Sequence, residues 1–392
     1  MAHTHDQVDD SAVDENVRRL MWAAVAVCGV MILLGLVLLW PSDGDDGVDP
    51  SGLGQDPVAA RAVAVESGPC AFDPLLVCKT VEVVPSEGRY DGETLLMEQP
   101  GSSSISTGDS ILVTIENLGD GTRLVSFYDF RRGTPMLVLL VIFVVAIIAL
   151  GRWRGVGALA GLAMSLLVIV AFALPSLLDG SNAVAVALVA AGAIAFLALF
   201  LAHGFNMATA AALLSTLASL ALTGVLAWLF VEGSKFTGLA DESVGYLDAL
   251  GAQIDPQGLL LAGIVIGALG VLDDVTVTQV SAVWELRRAA PDLSMSDLFA
   301  RGIRIGRDHI SSTVNTLFLA YAGAALPLLL LFREAGQGVG SVATREIVAI
   351  EIVRALVGSI GLVASVPMAT ALAAKVVTSG TVPESARTDE AQ

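Results

Sequence analysis

Residues 258–285 read Gly258-Leu-Leu-Leu-Ala-Gly-Ile-Val-Ile-Gly-Ala-Leu-Gly-Val-Leu-Asp273-Asp274-Val-Thr-Val-Thr-Gln-Val-Ser-Ala-Val-Trp-Glu285. Its first fifteen residues, Gly258 to Leu272, are uncharged and apolar or glycine, and two adjacent carboxylates then interrupt the run. About twenty apolar residues cross a hydrocarbon core of roughly 30 Å at 1.5 Å per residue, so the stretch reads as a membrane span. The rest of the chain agrees. Of 392 residues, 55% are apolar and 15% charged, and mean hydropathy is +0.74. A soluble domain carries about 25% charge. An ordinary cytosolic enzyme and a disordered chain are both excluded.

Working outward, eight apolar stretches are expected to span, at 21–40, 135–151, 155–175, 182–202, 207–231, 258–282, 310–332 and 348–375. The first ends at Trp40-Pro41 and lacks a small-residue cleavage site, so it reads as a retained anchor. Arginines 18, 19, 152, 154, 287, 288, 301, 304 and 307 all fall on one side under this count, which makes that side cytoplasmic. Arg131, Arg132, Arg333 and Arg345 run against the rule. Both termini are then expected inside, in the plasma membrane of a bacterium. Net charge is −18, and 21 of the 39 acids lie before residue 135. So acidic a surface repels polyanions, and nucleic acid is not an expected partner.

The segment 41–133 opens as a Gly/Asp-rich linker and then shows strand-like runs at 58–66, 78–84, 93–99, 110–117 and 122–129. Ile111, Val113 and Ile115 alternate with Leu112, Thr114 and Glu116, the period of a half-buried strand. A small extracytoplasmic β-barrel or sandwich follows, serving docking, gating or assembly. Cys70 and Cys78 flank a turn-rich stretch of it. A disulfide is the favoured reading in an oxidising compartment, and two buried thiols the alternative. A metal site there is disfavoured, because two thiols without a histidine are too few ligands. Cys28 reads as packing, and the His3/His5 tail as solvated chain rather than a metal site.

The chemistry concentrates in the opening stretch. A charge at this depth costs at least ~2.5–3.5 kcal/mol, so an intramembrane acid is functional by default. Two adjacent charges also repel, which suits a proton carrier or a dehydrated cation site. Asp274, Thr278 and Ser281 share a helix face, with Asp273 about 100° away. Gly263, Gly267 and Gly270 are expected to admit a neighbouring backbone. Asn315 and Thr316, in the seventh span, are the expected hydrogen-bond partners of the acids. The alternative is a static polar contact between helices.

The elements Gly270-Val-Leu-Asp-Asp274, Ile305-Gly-Arg-Asp308 and Asn315-Thr-Leu-Phe-Leu-Ala-Tyr-Ala-Gly323 resemble the YibE/F-like membrane protein family. Asn206 after His203-Gly204 is a further matching element. The resemblance implies an anchor, a small outer domain, a seven-span bundle and a permease-like role with no substrate named. A fainter likeness is to the resistance–nodulation–division transporters and SecD/SecF, whose proton-relay helix carries Gly-x-x-x-Asp-Asp. Leu269 stands where that glycine is wanted. That likeness implies proton coupling and a dimer.

Two protease readings fail. No second span carries a central Asp to complete a Gly-x-Gly-Asp pair, and Gly358-Ser-Ile-Gly361 has its serine one place early for a rhomboid-type site. Asp308 reads as a helix N-cap and His309 as an interfacial residue. Glu346, Glu351 and Arg354 lie at the outer start of the last span; Glu351 and Arg354 read as a structural i, i+3 pair, with an outer gate as the alternative. The arginines 301, 304 and 307 are expected to snorkel to anionic lipid. Gly151/Gly155 and Gly157/Gly161 read as packing pairs.

The expected fold is an all-α polytopic membrane bundle of about eight transmembrane helices with a small extracytoplasmic β domain. Its parts are a tail 1–20, an anchor 21–40, the outer segment 41–133, a seven-helix domain 134–378 and a tail 379–392. The expected function is proton- or cation-coupled transport of an unidentified small solute or ion, without enzymatic activity or cofactor. The rival is a scaffold or assembly accessory acting through the β domain.

Overall fold

The computed structural model describes residues 13–41, 57–71, 73–118, 123–240, 242–249, 254–336 and 338–380. The histidine-bearing tail, most of the Gly/Asp linker and the last twelve residues lie outside the described residues. The chain divides into two compact units, Met1–Val48 with Ile147–Gln392, and Asp49–Ala146.

The second unit holds five antiparallel strands, β1 Val58–Pro69, β2 Val77–Pro85, β3 Leu95–Pro100, β4 Ser110–Asn117 and β5 Arg123–Phe130. Their order is β3-β2-β1-β4-β5. β1 serves two partners because it is long and bulged between Ala62 and Ala64, where its register shifts. The alternation in β4 puts Ile111, Val113 and Ile115 in the core with Ala62, Val81 and Val83. The end strands β3 and β5 lie against one another. Arg123 pairs with Glu93 just before β3 and stacks over the Tyr90 ring at 4.7 Å, and the Tyr90 hydroxyl bonds Asn117. The neighbour order round the sheet is therefore 1-2-3-5-4, that of a partly open five-stranded Greek-key barrel. Cys70 and Cys78 are joined across the β1–β2 turn, with Cα atoms 4.8 Å apart.

The other unit is helical. α1 is Glu15–Leu38, starting six residues before the expected anchor because Asp14 caps it, its carboxylate accepting from Asn16 N and Val17 N. α2 is Gly133–Val168, a π-helical turn follows at Ile169–Ala173, and α3 is Leu174–Leu178. The two spans expected at 135–151 and 155–175 thus form one helical stretch, broken at Arg152 (φ 52°, ψ −129°). A methyl on Gly155 would meet the Ile147 carbonyl at 2.5 Å. A straight helix separates residues eight apart by about 12 Å, so the chain turns sharply there.

α4 is Ala183–His203, α5 Met207–Gly233, α6 Glu242–Ala249, α7 Pro256–Ala289, α8 Met295–Ala324, α9 Leu326–Glu334, α10 Val339–Ala343 and α11 Glu346–Val377. Among the described residues six helical stretches are long and apolar enough to cross a membrane, and α8 with α9, bent by 58°, makes a seventh if the pair is one span. α5, α7 and α11 pack mutually at the centre, with α4 and α8 against α7 and α1 against α4 and α5. Close approach uses small residues. A methyl on Gly161 would lie 3.2 Å from the Ala198 Cα, and one on Gly192 3.0 Å from Ile32.

The basic segment 295–309, expected as a loop, is the first half of α8. Leu298, Gly302 and Gly306 fall on one face and are buried, whereas Arg301, Arg304 and Arg307 are exposed. Asp308 consequently lies mid-helix, and the cap is Ser294, whose hydroxyl accepts from Asp297 N at 3.2 Å.

Candidate functional site

α7 starts at an Asp255 cap followed by Pro256 and runs 34 residues through the centre of the helical unit. Its buried side carries Leu261, Ala268, Leu272, Val275 and Val283. The opposite side keeps exposed residues from one end to the other. Gly263, Gly267, Gly270, Asp274, Thr278, Ser281, Glu285 and Arg288 recur at three- and four-residue steps and are all exposed, one continuous face. Asp274, Thr278 and Ser281 share it as their spacing requires. Thr278 turns its hydroxyl back to the Asp274 carbonyl at 2.8 Å.

Asp273 points off that face. Its Oδ1 is buried and has no hydrogen-bond partner among the described residues. Its carbonyl accepts from the Thr276 hydroxyl at 3.0 Å, and Thr276 bonds Thr216 of α5 at 2.6 Å. The doublet is therefore split. One carboxylate is turned toward the helix packing and the other onto the open face.

Two polar regions lie toward the ends of that face. Near the α7 C-terminus, a cavity of about 260 Å³ is lined by Arg154, His203, Asn206, Thr209, Ser281, Glu285 and Arg288, among others. Asn206 caps α5 by accepting from Thr209 N at 2.8 Å and donates to the His203 carbonyl at 2.9 Å. Toward the α7 N-terminus, Arg354 donates to Glu351 at 2.7 Å, and its Nε is buried without a partner. A methyl on Gly263 would lie 3.8 Å from Arg354 Nη2, and one on Gly267 3.5 Å from the Tyr321 hydroxyl. These glycines therefore make room for polar side chains, not for a neighbouring backbone as expected. Gly270 has nothing within 4 Å. Glu346 stands apart from the pair. Its carboxylate accepts from Thr237 N at 2.7 Å and Gly238 N at 2.8 Å, strapping the α5–α6 loop to α11.

Asn315 and Thr316 are not brought to the acids. Both are exposed, Thr316 donates to the Ser312 carbonyl at 3.0 Å, and no hydrogen bond joins either to Asp273 or Asp274 among the described residues. For Asn315 the cause is helix phase, because α8 meets α7 through Gly302 and Gly306 and nine residues beyond Gly306 is half a turn away.

The group that holds α8 is one the sequence reading missed. Gln279, 3% exposed, donates to the Gly302 carbonyl at 2.7 Å and the Thr370 hydroxyl at 2.8 Å, joining α7, α8 and α11. A seam of buried hydroxyls accompanies it, Ser215, Thr216, Ser219 and Thr223 on α5 with Ser365 and Thr370 on α11. A glutamine at i+5 from an acid, opposite a Gly-x-x-x-Gly pair, was the available signal.

In the β unit, Cys70, Cys78 and Glu98 offer ligand atoms within 4.8 Å of one another. The sulfurs are bonded to each other and Glu98 accepts from Ala71 N at 2.7 Å, a donor set that does not suit a metal.

A family model described as YibE/F-like protein matches residues 139–379, more than half of the chain. The match begins inside α2, leaving α1 and the β strands outside it. No curated protein matches the chain, and no solved structure matches it. The family and the apolar helices together make this a membrane protein.

Proposed function

We propose the following from the premise that the match supplies: this chain belongs to the YibE/F-like family. It acts as a multi-pass permease, not an enzyme, and moves a small solute or ion in step with protonation or cation occupancy at Asp273 and Asp274. One observation carries the reading. Two adjacent carboxylates sit midway along an apolar 34-residue helix, one with a shielded, unpartnered oxygen and the other on a polar face that runs toward both helix ends. An intramembrane acid with that access can take up a charge from one side and release it to the other.

Eight spans are reached by counting the halves of the Gly133–Leu178 stretch separately at the Arg152 break and α8 with α9 as one. Asp14 N bonds the Ser379 hydroxyl at 3.2 Å, so the start of α1 and the end of α11 share a side. Arg287 and Arg288 at the end of α7 and Arg301, Arg304 and Arg307 in the first half of α8 favour the cytoplasm for that end, and the β strands are then expected outside. Opposite charges on the two sides of α7, Glu351 with Arg354 and Glu285 with Arg288, suit gates at the two ends of the path.

The test is flux in proteoliposomes under an imposed pH gradient, with metal ions and small solutes screened as cargo. Asp273→Asn with Asp274→Asn abolishes coupled flux in protein that still inserts and folds. Undiminished flux refutes the reading. A scaffold role remains the second reading, favoured by Leu75 and Val77 beside the disulfide, 93% and 66% exposed like a docking tip. It requires the β strands and tolerates loss of both acids.

A further inference from the structure

We infer that a second copy of this chain covers the open face of α7, so that Asp274 of each copy looks toward its counterpart across a twofold pair. The inference rests on the reading that α7 crosses the bilayer. Gly263 to Arg288 then extends about 37 Å, the full depth of the hydrocarbon. Asp274 and Thr278, exposed at that depth and outside the lining of the cavity that Ser281 borders, cannot be left against acyl chains. The chain's own uncommitted apolar segment does not serve them, because residues 136–150 of α2 contain no hydrogen-bonding side chain.

The face is built to meet itself. Copies inserted the same way pair about an axis normal to the membrane, with the same patch on both. Glu285 and Arg288 sit one turn apart, pair with each other at 2.6 Å and remain more than half exposed. A parallel copy puts each Arg288 beside the other's Glu285. At the opposite half, Gly270 presents open space, which allows two helices to close on each other. Asp274, between these contacts, exchanges lipid for the Thr278 and Asp274 side chains of the other copy. The ion-coupling site is therefore incomplete in one chain.

The test is disulfide trapping in native membranes, in the full chain with Cys28→Ser. Gly270→Cys and Ser281→Cys are compared with Val225→Cys and Val363→Cys, which replace exposed residues of α5 and α11. Copper–phenanthroline oxidation is expected to convert most of the Gly270→Cys or Ser281→Cys protein to a species of twice the mass and to leave the other two monomeric. Native mass spectrometry of the unmutated chain from lipid nanodiscs gives the mass of two copies. The inference is overturned by a single-copy mass, or by equal cross-linking at all four positions. It is also overturned if neither α7 cysteine cross-links. Labelling of both by a charged thiol reagent then means a water-filled groove, and no labelling means cover by another segment of the same chain. Trapping with no acid-dependent flux would leave the pair standing and remove the permease reading, and the reverse result would do the opposite.

Discussion

Replacing Gly302 by alanine tests the clasp that unites α7, α8 and α11. The new methyl would lie 2.7 Å from Thr370 Cγ2, about 0.7 Å inside the 3.4 Å at which ordinary contact begins. It would also press Val283 at 3.2 Å and come into ordinary contact with Gln279 Nε2 at 3.5 Å. Thr370 is not free to rotate away. Its hydroxyl donates to the Val366 carbonyl at 2.6 Å while accepting from Gln279. Relief therefore requires a helix to shift and the Gln279 bonds to lengthen. Overpacking of this kind costs roughly 1–3 kcal/mol, and the better helix propensity of alanine returns up to about 1 kcal/mol. A net loss of about 1–2 kcal/mol is expected in reversible unfolding from lipid bicelles, read by steric trapping. Thr370→Ala removes the obstructing methyl. It costs about 1 kcal/mol by itself, in the range of interhelical bonds in membranes, and in its background Gly302→Ala becomes nearly neutral. Gly270→Ala, with open space around it, leaves the clasp untouched. Equal stability of Gly302→Ala and Gly270→Ala, or an undiminished cost of Gly302→Ala in the Thr370→Ala background, would refute this packing argument.

Two further outcomes are expected. Glu351→Gln leaves Arg354 without its anion and costs about 1 kcal/mol in the same unfolding assay. That is the low end for a charged hydrogen bond, because about a quarter of each side chain stays accessible. Adding Arg354→Gln recovers part of the loss, and a larger loss in the double variant contradicts the pairing. In the β unit, the hydrogen bond from Arg132, supported by the Phe130 amide, holds the Asp129 carboxyl below the ordinary carboxylate value. Its small contribution to stability is thus complete above the unfolded value and disappears as pH falls through the lower, folded one. A carbon-13 titration of aspartate side chains should find Asp129 protonating last, with Arg132→Gln moving it back up.

Periodicity made most of the architecture legible. The alternation of Ile111, Val113 and Ile115 marks β4 without help from context, and the carboxylates at 273 and 274 stand out because nothing else in that run is charged. What escaped depends on helix phase between partners. Asn315 and Thr316 looked like natural ligands because they are polar within a span, yet the face that α8 offers α7 is set by Gly302 and Gly306. Those two glycines lie in a stretch whose arginines made it read as a loop. Gly263 and Gly267 suggested a neighbouring backbone, but they meet only a guanidinium and a phenol hydroxyl at ordinary contact distance, because a glycine does not say what will fill its space. The turn at Arg152 is flanked by Gly151 and Gly155, but their spacing also suits helix packing, so the turn was legible mainly as a polar gap between apolar runs.

The Gln279 clasp grips α8 near its start and the helix then continues from Gly306 to Ala324, where side chains such as Leu317 and Tyr321 meet its neighbours. Mechanically it is a cantilever about 27 Å long, ending at the 58° elbow into α9. A tilt of about 5° at the fulcrum would carry Ala324 through about 2 Å, so a displacement too small to disturb the clasp grows along the helix toward the elbow.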